Sequence, residues 1–140
     1  MQRKCTNCGV ILIDRHKIKF CSNKCQNNGY YSAFICKWKE NKVSGIIGIS
    51  AKNISGHVKR YLFEKYENKC SECGWNMINS ATGKVPLEVD HIDGNAENNV
   101  EKNLHLLCPN CHSLTPHFRN LNKGKGRQWR MQKYIKNRTN

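Results

Sequence analysis

Acidic residues are what this 140-residue sequence has least of: 10 Asp and Glu stand against 24 Lys and Arg, for a formal net charge of +14. None follows Glu101, and only Asp14 and Glu40 precede Glu64. Long apolar runs are missing too. No segment approaches the ~18–20 residues that a spanning helix needs, which argues against a membrane protein. No apolar stretch near the first residue looks like a secretory leader, which argues against secretion. The expected compartment is therefore reducing and cytoplasmic, where thiols bind metals rather than pair as disulfides. A chain this short makes one domain or two very small ones, whose thin cores need staples.

Staples are present as nine cysteines. The charge is also arranged usefully. Residues 1–63 carry 12 basic against 2 acidic residues, residues 64–101 carry 3 against 8, and residues 102–140 carry 9 against none. A polyanion drawn to the two basic flanks would be presented to the mildly acidic middle, so the charge points to nucleic acid.

The first cysteines form two pairs, Cys5 with Cys8 and Cys21 with Cys25. Four thiolates at such spacing suit a closed tetrahedral zinc site with no open position, which makes this zinc structural. Val10, Ile11, Leu12 and Ile13 read as a hairpin strand between the pairs. The arrangement resembles a small treble-clef zinc finger, with Cys21 and Cys25 at the start of a helix. His16 is a weaker substitute ligand. Tyr30, Tyr31, Phe34 and Trp38 have loosely helical spacing and are expected to close the finger's core. Cys36, the ninth cysteine, is expected to be a buried thiol. Residues 44–53 read as a flexible connector. A helix then starts at Ser55, a good N-cap, with Ile54, Val58, Tyr61, Leu62 and Tyr66 on one face.

The middle of the chain carries the chemistry. Cys70-Ser-Glu-Cys73 and Cys108-Pro-Asn-Cys111 are two further CxxC knuckles. Between them, Val85 to Ile92 reads as a strand ending on Asp90-His91. Asp93-Gly94-Asn95 is a turn signal, and Leu104, Leu106 and Leu107 give a second strand. A helix at the second knuckle should present His112 in its first turn, and the two strands should bring Asp90 close to it. Asp-His alone means little; its convergence with His112 would make a metal site.

From about Tyr61 to Arg127 the sequence resembles the HNH endonuclease family, with its ββα-metal fold, and especially the phage and mobile-element members. The resemblance rests on the CxxC pair, Leu87-Glu-Val-Asp-His-Ile-Asp-Gly-Asn95, Asn103-Leu104 and Leu107-Cys-Pro-Asn-Cys-His-Ser-Leu-Thr-Pro116. It implies an α+β, zinc-stapled protein made of an N-terminal treble-clef-like finger (1–35), a connector and helix start (36–60), an HNH module (61–119) and a basic DNA-binding tail (120–140). It further implies His91 as general base and Asn103 as the residue that holds the loop aiming it. Asp90 and His112 would be the ligands of one catalytic divalent ion, magnesium by expectation, with manganese or nickel as substitutes. Cys70, Cys73, Cys108 and Cys111 would hold a structural zinc, and Cys5, Cys8, Cys21 and Cys25 a second. The reaction implied is hydrolysis of DNA phosphodiesters to 5′-phosphate and 3′-hydroxyl ends, in a bacterial or phage-infected cell.

Lys59, Arg60, Arg119, Lys123, Lys125, Arg127 and Arg130 are the candidate contacts to double-stranded DNA. His105 is expected to touch solvent or phosphate, His117 is not expected to bind metal, and His57 is expected at the surface and not in catalysis. A restriction-type enzyme and a zinc-finger protein that binds DNA without cutting remain alternatives, and a homodimer is open.

Overall fold

The computed structural model describes residues 2–48 and 53–124, together with residues 132, 135 and 136. It divides into two compact units, Met1–Val43 and Ser44–Asn140. Lys125, Arg127 and Arg130, and most of the tail that contains them, lie outside the described residues.

The first unit is built on the Cys5–Cys8 knuckle and one helix, α1 (Asn23–Lys39). Ser22 caps α1 by accepting from the Cys25 N–H, so Cys25 sits in the first turn and Cys21 just ahead of it. Tyr31, Ile35 and Trp38 are buried, following the i, i+4, i+7 stripe of one helical face. Tyr30 is half exposed and packs edge-on against Phe20, with ring centroids 5.5 Å apart. Phe20 lies so close to α1 that a Cβ on Gly29 would come within 2.7 Å of its ring, which is why the helix has glycine there.

Two expectations fail in this unit. Residues 10–13 do not form a strand. Asp14 turns the chain early, accepting from the Lys17 N–H at its carbonyl and from the His16 N–H at its carboxylate. What remains is a single bridge between Lys4 and Ile11, and of the run only Leu12 is buried. Cys36 is exposed, not buried: it follows buried Ile35 by one residue, which turns it about 100° away from the packed stripe.

In the second unit the expected connector contains a small antiparallel hairpin, β1 (Ile46–Ile47) with β2 (Asn53–Ile54). The next helix, α2 (Gly56–Lys65), is capped by the Ser55 hydroxyl and buries Val58 and Leu62 completely. The central hairpin is β3 (Glu88–His91) with β4 (Leu104–Leu107), antiparallel and in register Glu88–Leu107, Val89–Leu106, Asp90–His105 and His91–Leu104. A short helix, α3 (Pro109–Ser113), follows at once, capped by the Cys108 sulfur.

The two knuckles belong to the core. Cys70 and Cys108 are buried with Leu87, Leu106 and Leu107, and Phe63, Tyr66, Trp75, Val85 and Val89 pack around them. The Ser71 N–H donates to the Leu106 carbonyl, which ties the first knuckle to β4. Glu101 ties α2 to the entrance of β4, accepting from the Tyr61 hydroxyl at 2.6 Å and from Lys65 at 2.9 Å.

Candidate active site and metal centres

Among the described residues, two groups of metal-ligating side chains bring their ligand atoms within 4.8 Å of one another: Cys5, Cys8, Cys21 and Cys25, and Cys70, Cys73, Cys108 and Cys111. Sulfur atoms lie 3.6 Å apart for Cys8 and Cys21 and 3.8 Å apart for Cys73 and Cys108. Four sulfurs at about 2.3 Å from a tetrahedral zinc would stand about 3.8 Å from each other, so both groups fit that ion. His16 is not part of the first group; it contacts its neighbour Arg15.

The thiols' proton affinities point the same way. Burial raises the Cys70 thiol, but N–H groups of Cys73, Cys108 and Glu72 directed at its sulfur outweigh this and hold it at about 6. Cys111, which shares hydrogen bonds with Cys73 and Cys108 and is itself desolvated, is pushed up to about 12. Cys5 and Cys21 repeat the contrast at about 6 and about 12, burial of Cys5 being offset by backbone N–H groups and Cys21 being raised by Cys25 and Cys8. Thiolates crowded in this way repel one another; a dication at the centre removes the conflict.

Strand alternation sends neighbouring residues of β3 to opposite faces, which separates the partners of Asp90 from those of His91. Asp90 turns toward α3, where its Oδ1 lies 3.6 Å from His112 Nε2. Its other oxygen is 2.9 Å from His105 Nε2. Burial raises the Asp90 carboxyl, but the hydrogen bond and charge of His105, with the charge of His112, hold it below its ordinary value. His112 Nδ1 lies 2.7 Å from Glu88. A carboxylate there accepts from Nδ1–H and so turns Nε2 toward Asp90, the orientation a metal-binding imidazole needs. The ring is walled by Phe118, edge-on at 5.2 Å. Asp90 and His112 could therefore offer an oxygen and a nitrogen to one ion.

His105 is thus not a solvent or phosphate contact. It is half-buried against Asp90, because the hairpin register sets these two residues opposite each other. Carboxylates that hold a metal depend on such outer partners, whose loss costs roughly 10–100-fold in affinity. His105→Ala is accordingly expected to weaken manganese binding by about that factor, read by calorimetric titration of the zinc-loaded protein.

His91 ends β3 and turns to the loop that follows, where Nε2 lies 2.9 Å from Asn99 Oδ1. That loop is held from within by Asn103, which is buried. Its Nδ2 donates to Asp93 and to the Asn98 carbonyl, both at 2.8 Å, and its Oδ1 accepts from the Asp93 N–H at 3.0 Å. Asp93 also accepts from the Asn95 N–H and the Asn98 side chain.

Gly94 forms the turn at φ +71, and an added Cβ would meet the His117 ring at 2.5 Å. Its carbonyl accepts from Asn122 Nδ2 at 2.7 Å. His117 therefore serves as a wall for the turn. Gly94→Ala is expected to destabilise the protein, by about 1–2 kcal/mol for left-handed backbone and by about 1–3 kcal/mol for overpacking the ring; urea denaturation measures the sum.

A groove of about 390 Å³ opens beside His91, lined by Lys59, Phe63, Leu87, Glu88 and Val89 among others. Of the basic residues expected at DNA, Lys59 faces this groove. Arg60 pairs with Glu64 on its own helix, Arg119 stacks over Phe118, and Lys123 is exposed. Asn99 and Glu88 carried no role in the sequence reading, and His105 carried a different one. Glu88 had a signal, since it lies two residues before Asp90 on the same strand face.

Comparison with known proteins assigns part of the chain to a family pattern. Residues 70–115 match the HNH endonuclease family model. This segment carries the HNH signature. Over a stretch of 59 residues the chain is 49% identical to H-N-H endonuclease F-TflIV of Escherichia phage T5. That stretch is 41% of this chain and 25% of the phage protein, so the chain matches only about a quarter of that relative's length. No solved structure matches the chain. Among the described residues, no helix is long and apolar enough to cross a membrane.

Proposed function

We propose that the protein is a metal-dependent DNA endonuclease of the phage or mobile-element, homing-like kind, hydrolysing phosphodiesters to 5′-phosphate and 3′-hydroxyl ends. One observation carries the reading: within the HNH segment, Asp90 and His112 converge at 3.6 Å while the adjacent His91 stands beside an open groove. A protein that only binds DNA has no use for an imidazole base next to a carboxylate–imidazole pair.

In this reading His91 takes a proton from the water that attacks phosphorus, a task suited to a neutral imidazole near pH 7. Asn103 fixes the loop against which His91 rests. Asp90 and His112 would hold a divalent ion, magnesium in the cell, which supplies positive charge to the scissile phosphate and the leaving oxygen. Glu88 and His105 orient those two ligands. Lys59 brings a cation to the groove, and the basic residues at either end of the sequence favour a polyanion. Zinc in each four-cysteine group is structural, since four thiolates leave no position for substrate.

The test is supercoiled plasmid incubated with zinc-loaded protein, with and without added magnesium or manganese. Ion-dependent conversion to nicked or linear DNA is the expected result. Binding with no cleavage under any divalent ion would favour the non-cutting DNA-binding protein instead.

A further inference from the structure

The base is not left to choose its own proton arrangement. Asn99 is buried, and its side-chain orientation is fixed by what surrounds it. Its Nδ2 faces the carbonyls of Ala96 and Glu97, each at 3.4 Å. Carbonyl oxygens only accept, so the carboxamide nitrogen belongs on that side and the oxygen on the other. The oxygen faces His91 Nε2 at 2.9 Å and can only accept there as well. Nε2 must then carry the hydrogen, and in a neutral ring the free lone pair is on Nδ1.

We propose that Asn99 is a positioning residue for His91: it keeps the ring's proton on Nε2 and aims Nδ1 as the nitrogen that accepts the proton from water. This rests on His91 being the base of the proposed nuclease. The loop is built to support it. Asn103 fixes Asp93 and the Asn98 carbonyl, immediately before Asn99, so the carboxamide approaches the ring from a braced backbone. A ring free to rotate or exchange tautomers would spend part of its time with a protonated nitrogen toward the water. Misplacement of a catalytic group by about 1 Å can cost up to ~10²-fold.

Nuclear magnetic resonance of the zinc-loaded, ¹⁵N-histidine-labelled full chain tests this without DNA. In the wild-type protein the His91 Nε2 proton is expected as a visible resonance shielded from water exchange, with Nδ1 bare. In Asn99→Ala that resonance should be lost. In Asn99→Asp, which keeps an accepting oxygen, it should persist. Cleavage should follow: kcat falls about 10–100-fold in Asn99→Ala with KM for plasmid unchanged, and recovers in Asn99→Asp. A wild-type ring protonated on Nδ1, or with no protected Nε2 proton, overturns the proposal whether or not a variant folds. So does Asn99→Ala that keeps the resonance or the wild-type kcat. Failure of the underlying reading looks different: the wild-type protein cleaves no plasmid under any divalent ion, or cleavage survives His91→Ala, while the ring spectra stay as expected.

Discussion

Replacing His91 with alanine is expected to slow plasmid cleavage by about 10²–10⁴-fold, the usual contribution of a general base. DNA binding should survive. The imidazole is one side chain at the end of β3, and the groove beside it keeps Lys59, Phe63 and Val89 in the variant. Nor should the fold suffer greatly: the backbone of the following turn is held by the Ile92 N–H on the Asn103 carbonyl and by the Asn103 side chain, neither of which needs the ring. The Asp90–His112 pair is also untouched, so manganese affinity should stay near wild type. A single-turnover assay at saturating protein isolates the chemical step. Equal rates for the two proteins would remove His91 as base.

Extraction of zinc from the Cys70 group should unfold the second unit outright. Structural zinc contributes roughly 10–16 kcal/mol in finger peptides, against about 5–15 kcal/mol for the whole stability of a typical domain. Geometry sharpens the expectation here. Cys70 and Cys108 lie in the same buried cluster as Leu87, Leu106 and Leu107, so removing the ion loosens the ligands and the core together. Cys108 in addition caps α3, the helix that presents His112. Cys108→Ser or a strong chelator should therefore abolish cooperative thermal unfolding followed by circular dichroism. Cys36→Ser provides the contrast, because Cys36 is exposed and belongs to neither group of four. An unchanged melting curve after chelation would overturn the zinc assignment.

How much of this was legible in the sequence depended on whether the information was local. The Ser55 cap, the α2 face of Val58 and Leu62, and the knuckle feeding α3 follow from contacts a few residues apart, and these appear as expected. The meeting of Asp90 with His112 was also foreseeable, because two short strands and a helix leave few alternatives. His105 escaped because its role exists only through register. A slip of one residue would place it on the other face of the hairpin. Asn99 escaped for a related reason. In a polar loop of several asparagines, nothing local marks the one whose carboxamide reaches back eight residues to His91. In the first unit, β-branched composition at Val10–Ile13 suggested a strand, but composition supplies no partner, and Asp14 ends the run before one can form.

The segment that matches the HNH endonuclease family model ends at residue 115, yet the contacts that brace the site continue past it. His117 backs the Gly94 turn, Phe118 walls His112, and Asn122 reaches back to the Gly94 carbonyl. A protein cut after residue 115 would retain both zinc knuckles, Asp90, His91, Asn103 and His112. It would nonetheless lose the buttress behind the turn that follows His91. A transplanted segment meant to keep this turn intact should run through residue 122, since Asn122 lies seven residues beyond the end of the family match.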